Sequence, residues 1–310
     1  MFAENYTFSH PFTCENLSIF LIHGNDKLPG THFLTLQEAL DQKKFIVHET
    51  GNVNELAIEN LASVEVFLQA GDIVKGGLQD RVFAFDLIVS AKSGKIPTGA
   101  FCVERGRWRQ REREETAHFE SSSYRAHTRD LKIAYYNNSQ TEVWAKVSEA
   151  QEKLSEKLGE SVKAKRSATS LPLTLENEKI DQSVERYTRE LSSIIEGKSD
   201  VIGYAFAING KLNSGDLYAS NALFKKLWPK MLRASATEAV AEFEKGKSFA
   251  PVTGEVVKAC LNDPTRDKAT VKQVTARVRL IIYETEKTIL QETCDQERSG
   301  AWVHRSYLVK

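Results

Sequence analysis

The stretch LQAGDIVKGGLQDRVFAFD, Leu68 to Asp86, sets the fold class. Its apolar runs are short, rich in β-branched and aromatic residues, and joined through Lys75-Gly76-Gly77. Runs of this length bounded by glycine read as strands joined by a turn, not as helix. Outward from it the same signal recurs, in FLIH (Phe20–His23), FIVHE (Phe45–Glu49), VNELAIEN from Val53, VEVFLQ from Val64, RVFAFDLIV from Arg81 and AFCVE from Ala100. These short strands at close spacing predict an antiparallel sheet, sandwich-like or curled. One short helix interrupts them, because Thr35 and Glu38 stand at capping-box spacing.

Beyond Trp108 the pattern changes. The charged segment RQREREETAHFESSSYRAH has no apolar period and reads as a long exposed loop, a candidate lid. Ser139 and Glu142 then open a helix with Trp144, Val147, Leu154 and Leu158 as its stripe and Gly159 as its stop, and ESVKAKRSATS follows as a flexible connection. A second helix carries Ile180, Val184, Tyr187, Leu191 and Ile194. Asn209-Gly210 suits a type I′ hairpin turn, and the long apolar face after Ser220 passes through Pro229, predicting a kinked helix or two end to end. A short helix is expected near Glu255–Leu261. The C-terminal segments VTARVRLIIYE, TILQETC and AWVHRSYLV read as a three-strand meander, with Val274, Ala276, Val278, Leu280 and Ile282 on one face. The class is therefore α+β: a strand-rich N-terminal part (18–108), a helical middle with a hairpin (128–262) and a β-meander (270–310), taken as one large domain over 1–310.

Composition narrows the partners. The 310 residues are 41% hydrophobic and 27% charged, with 42 basic against 42 acidic residues. A balanced chain does not favour nucleic acid or an anionic membrane surface, which attract a basic excess. Cys14, Cys102, Cys260 and Cys294 are scattered, with no C-x-x-C pair, and the histidines show no metal-ligand spacing. No metal and no cofactor is expected. The N-terminus lacks a basic, apolar leader and no run approaches the ~20 apolar residues of a membrane span, so a cytoplasmic location is expected. Oligomeric state is not readable.

Three segments carry chemistry. In DIVKGGLQDR, Gly76 and Gly77 permit a tight turn and close approach of a ligand to main-chain amides, while Lys75 and Arg81 supply positive charge, Arg81 with a two-pronged grip suited to phosphate. Strand alternation would place Gln79 and Arg81 on one face and Asp80 on the other unless a bulge intervenes. In FCVERGRW, Glu104 is a candidate general acid or base, Arg107 a phosphate grip and Trp108 a stacking platform; Cys102 reads first as a small buried hydrophobe. In INGKLNSGDLY, Asp216 follows the hairpin in a Ser-Gly-Asp turn, where it either faces a cleft or caps local amides. Walker and dinucleotide-binding glycine patterns are absent.

Taken in order, AGDIVKGGLQDRVFAFDLIV, FCVERGRW and GYAFAINGKLNSGDLYASNALFKKLWPKMLR resemble the ARG and rhodanese-phosphatase-superfamily-associated protein domain, over roughly Phe20 to Phe243. The resemblance implies characteristic positions at Gly71, Gly76, Gly77, Gln79, Asp80 and Arg81. It carries over likewise to Cys102, Glu104, Gly106, Arg107 and Trp108, and to Asp216 and Trp228. The stretch IPTGAFCVE departs from the continuous apolar strand expected there. The family's association with ADP-ribosylglycohydrolases and phosphatase-like rhodanese relatives implies metabolism of ADP-ribose or a related nucleotide.

Two classes of function remain open. One is an enzyme on a phosphorylated nucleotide, with Asp80 or Glu104 moving a proton. Lys75, Gly76, Gly77, Gln79, Arg81, Arg107, Trp108 and Asp216 would then hold the ligand. The other is a non-catalytic module or scaffold recognising a small anion or an ADP-ribosylated partner at the same residues.

Overall fold

The computed structural model describes residues 6–109, 119–126, 128–262 and 268–310. The chain forms two compact units, one made of Met1–Thr31 with Arg186–Lys310 (unit 1) and one of His32–Glu185 (unit 2). The class is α+β, built on antiparallel sheets, as the strand and helix signals predict.

Unit 1 begins with β1 (Thr7–Phe8), β2 (Phe12–Cys14) and β3 (Leu17–His23). Unit 2 then supplies β4 (Leu34–Thr35), α1 (Leu36–Asp41), β5 (Phe45–Glu49), β6 (Glu55–Asn60), β7 (Val66–Leu68), β8 (Asp72–Gly76), β9 (Arg81–Phe83), β10 (Leu87–Val89), β11 (Ile96–Cys102) and β12 (Phe119–Arg125). Its helices are α2 (Arg129–Tyr136), α3 (Gln140–Leu158), α4 (Leu171–Leu175) and the first part of α5 (Glu178–Leu191). Unit 1 resumes with β13 (Val201–Ile208), β14 (Lys211–Tyr218), α6 (Asn221–Ala241), α7 (Gly254–Leu261), β15 (Ala269–Gln273), β16 (Val278–Glu284), β17 (Thr288–Asp295) and β18 (Ala301–Val309).

In unit 1 the strands join into one sheet in the order β1-β3-β13-β14-β18-β17-β16-β15, with β2 also on β3. The first strands of the chain thus lie in the same sheet as the C-terminal meander. Asn209 and Gly210 both take positive φ (52° and 70°), the pair of left-handed residues that a type I′ hairpin needs. One sheet face packs Phe20, Ile22, Leu217 and Leu290 against Val257 and Leu261 of α7. On α6, Trp228 sets its ring edge-on to Tyr204, and Tyr204 and Ser235 bond through their hydroxyls. Pro229 sits inside a single helix, with no second helix following end to end.

Unit 2 has a sheet ordered β12-β8-β9-β11-β6-β5 and a smaller one ordered β10-β7-β4, in which β4 runs parallel to β7. The Thr35–Glu38 capping box forms in full. Ser139 caps α3 and Gly159 closes it in the left-handed conformation, as their spacing predicts. The α2 and α3 helices bury Leu131, Ala134, Val143 and Val147 against Ile73, Val82 and Phe101 of the sheet.

Three expectations need correction. Residues 81–89 are not one strand: β9 and β10 belong to different sheets, separated by Ala84–Asp86. The segment read as a lid lies partly outside the described residues (110–118 and 127), and Phe119–Arg125 within it is β12, paired with β8 from Phe119↔Gly76 to Arg125↔Asp72. Backbone pairing holds that polar sequence in place, with Phe119, Ser122 and Arg125 turned inward. Val274 and Ala276 lie before β16 in a turn that brings in the extra edge strand β15. Among the described residues no helix is long and apolar enough to cross a membrane.

Candidate functional site

Gly76 and Gly77 adopt φ of 120° and 52°, a turn closed to most side chains. At Gly77 a Cβ would come 2.3 Å from Phe119 Cζ and 2.9 Å from Glu49 Oε2, so the turn is moulded against β12 and the end of β5. Residues 77–80 lie outside the strands, and strand alternation does not govern them. Gln79, Asp80 and Arg81 are consequently all buried together, and Glu104 and Arg107 are buried beside them.

Arg107 organises this corner. Its Nε donates to Glu104 Oε2 at 2.6 Å, Nη1 to the carbonyls of Gly77 (3.0 Å) and Arg109 (2.7 Å), and Nη2 to Gly76 O (3.1 Å) and Asp80 Oδ1 (3.4 Å). All five of its N–H donors are engaged, so Arg107 sews the glycine turn to the segment after β11. Asp80 also accepts from the Gly76 amide (3.1 Å) and from Ser170 Oγ (2.8 Å). Glu104 accepts the Asp80 amide (3.1 Å) and Ser167 Oγ (2.5 Å). The segment expected to be a flexible connection is therefore tied down by both carboxylates, and Thr169 Oγ1 adds a bond to Arg105 O at 2.7 Å.

Arg81 differs from Arg107. It is fully buried, and its Nη1 donates to Gln79 Oε1 at 3.2 Å, while Nε and Nη2 have no hydrogen-bond partner. Nη2 stands 3.6 Å from Glu49 Oε1, within ion-pair range but beyond a hydrogen bond. Burial draws the Arg81 pKa below its usual value, against the Glu49 carboxylate. A guanidinium nevertheless stays protonated at neutral pH. The half-exposed Trp108 indole lies over it, 5.6 Å from ring centroid to Cζ. That is cation–π range.

Other expected residues are placed elsewhere. Lys75 pairs with Glu176, which also lies 3.9 Å from Arg166. Cys102 is buried, with its amide and carbonyl clamped by Gln140 (2.8 and 2.9 Å). Burial raises its thiol pKa, so Cys102 is protonated at neutral pH. Asp216 is in unit 1, inside β14 and not in a turn, with its Oδ1 3.2 Å from His304 Nε2. Trp228 is core, its Nε1 donating to Ser192 O at 2.9 Å. Glu49, Ser167 and Ser170 belong to the corner yet carry no sequence signal. Each lies in a distant segment, and only folding brings it in.

Within the corner three carboxylates (Glu49, Asp80, Glu104) face two guanidiniums (Arg81, Arg107), which leaves no buried positive excess. Arg105, Arg109, Lys165 and Arg166 in the adjoining segments are exposed, with Arg105 over the Trp144 ring at 5.5 Å and Arg166 3.9 Å from Glu176.

The family model described as "ARG and Rhodanese-Phosphatase-superfamily-associated Protein domain" matches residues 5–308. The chain belongs to this family. The match spans both units, wider than the Phe20–Phe243 resemblance. No curated protein and no solved structure matches the chain. Within the family assignment, the glycine turn and the Arg81 corner lie in the unit that carries two of the three resembling segments.

Proposed function

We propose that this protein binds an ADP-ribose-type or other phosphorylated nucleotide at the Gly76-Gly77, Arg81 and Trp108 corner of unit 2. One observation carries the reading: beside the Gly76-Gly77 turn a half-exposed indole, Trp108, is backed on its inner side by the buried Arg81 guanidinium. Trp108 offers a stacking face for a base, and exposed Arg109, next to it in the chain, offers charge for a phosphate. The family's description, which ties it to the ARG and rhodanese-phosphatase superfamilies, supports the same ligand class.

Calorimetric titration with ADP-ribose tests this. Wild type binds, and Arg81→Ala weakens binding about tenfold by removing the charge that backs the Trp108 face. Equal binding by both proteins, or none by wild type, overturns it.

The contact of Ser167 Oγ with Glu104 Oε1 at 2.5 Å favours a second reading, in which the corner also processes the ligand. A half-buried hydroxyl on a buried carboxylate gives Glu104 a route for moving a proton. Chromatography of ADP-ribose incubated with wild type and Glu104→Gln decides it: product from wild type alone supports catalysis, and no product from either leaves a binding module.

A further inference from the structure

The sheet of unit 1 ends on β15 (Ala269–Gln273), and among the described residues no strand lies beyond it. Every residue of β15 is exposed, Val271 at 58%. The hairpin to β16 fixes which backbone groups face outward. The Val274 amide donates to Val278 O at 2.9 Å, so the adjacent Gln273↔Arg279 is a pair that exchanges no hydrogen bonds of its own. By alternation, Thr270 and Lys272 turn their N–H and C=O towards β16, while Ala269, Val271 and Gln273 turn theirs to the outer edge.

An exposed edge of this kind is a template for another strand, and β15 is complementary to a second copy of itself running antiparallel. With a two-fold axis at Val271, Ala269 meets Gln273 of the second copy and Val271 meets its own counterpart, and each of these pairs exchanges two backbone hydrogen bonds. The same axis sets Lys272 beside Thr270 of the second copy, and Lys268 beside Val274. A register one residue off in either direction sets Lys272 against Lys272 or against Lys268, so like-charge repulsion selects the axis at Val271. On one face, exposed Val271 lies directly across from half-buried Ile281 of β16, and pairing joins these two to their counterparts in one apolar row.

We propose that two copies of this protein associate edge to edge through β15, carrying the sheet of unit 1 across a two-fold axis at Val271. One short strand from each copy buries less than the ~1,200–2,000 Å² of a stable interface, so the dimer is weak and forms at high protein concentration. Every residue involved lies in unit 1, and the inference is independent of the nucleotide reading.

Sedimentation equilibrium of the full chain over a concentration series tests this. The weight-average mass should rise with concentration from that of one chain towards that of two. Val271→Pro removes the central outward N–H and spares the ladder to β16, and it should weaken the dimer about tenfold or more. Thr270→Glu sets a carboxylate opposite Lys272 of the second copy and should shift dimerisation to a several-fold lower concentration, whereas Thr270→Lys sets lysine against lysine and should shift it higher. A thermal melt checks that Val271→Pro stays folded, and the two Thr270 variants, changed at an exposed side chain, give a second reading that does not depend on it. A wild type still monomeric at about 1 mM overturns the proposal. So does a dimer that Val271→Pro leaves unchanged, or one that the two Thr270 variants move in the same direction.

Discussion

Two corners of the molecule each set a buried arginine against a carboxylate, and they do so differently. In unit 1, Arg277 meets Asp295 through two hydrogen bonds, Nε to Oδ1 at 2.9 Å and Nη2 to Oδ2 at 2.7 Å, with Arg298 on the same carboxylate and Glu297 on Arg277 Nη1 at 3.1 Å. In unit 2, Arg81 and Glu49 approach no closer than 3.6 Å and leave polar atoms on both sides without partners. Both guanidiniums are buried, but Asp295 is fully buried and Glu49 only half-buried, and hydrogen-bond saturation differs with them. In the closed pair both carboxylate oxygens are hydrogen-bonded, whereas the looser pair keeps the attraction of opposite charges without a hydrogen bond between them.

That contrast breaks most visibly in stability. Asp295→Ala removes two hydrogen bonds and strands a buried guanidinium, at an expected cost of about 3–5 kcal/mol, while Glu49→Ala takes from Arg81 a counter-charge without a hydrogen bond, together with the Leu78 contact, and should cost less, about 1–3 kcal/mol. Urea unfolding measures both, and equal losses would erase the distinction between the corners. Next in size is Gly77→Ala. Its left-handed φ costs about 1–2 kcal/mol, with the clash against Phe119 in addition. Because the new Cβ also presses on Glu49 Oε2, the substitution should weaken ADP-ribose binding as well as lower the melting temperature. A stable Gly77→Ala with unchanged binding would separate the turn from the site.

The smallest effect is on acid sensitivity. Burial by itself raises the Asp295 carboxyl pKa, but hydrogen bonds from Arg277 and Arg298 outweigh it, and the net shift is downward. A carboxylate whose folded pKa lies below its unfolded value contributes stability above the unfolded pKa, ~3.9, and loses it as pH falls through the folded value. Stability should therefore decline below about pH 4 in wild type, and less steeply in Asp295→Asn, as followed by melting temperature against pH.

Local rules made much of the architecture legible. Thr35 with Glu38, Ser139 with Gly159 and Asn209-Gly210 each fix a boundary within a few residues, and each forms as its chemistry dictates. Where pairing partners decide, the sequence is silent. Phe119–Arg125 has no apolar period and becomes a strand because β8 supplies its hydrogen bonds, and Arg81–Val89 splits because its two ends pair in different sheets. The corner follows the same division. Its glycines, Gln79, Asp80, Arg81, Glu104 and Arg107 stand in two short motifs and do converge. Glu49 ends an ordinary apolar strand, and nothing within FIVHE distinguishes its carboxylate from a solvated one. The distribution of hydrogen bonds between Arg81 and Arg107 is likewise a property of the fold alone.

Strand β3 is paired with β13 from Val201↔His23 to Ile208↔Leu17, and the whole of unit 2 intervenes between these neighbours in the chain. During synthesis the first strands leave the ribosome long before their central partner, and until then they have only each other, β1 and β2 against β3. Unit 2 is contiguous and contains the partners of all its own strands, so it is complete in the nascent chain while β3 still exposes an apolar edge. Closing the larger sheet is thus the least local event of folding, and a chain stalled before residue 201 holds all of unit 2 while β3 still lacks its β13 partner.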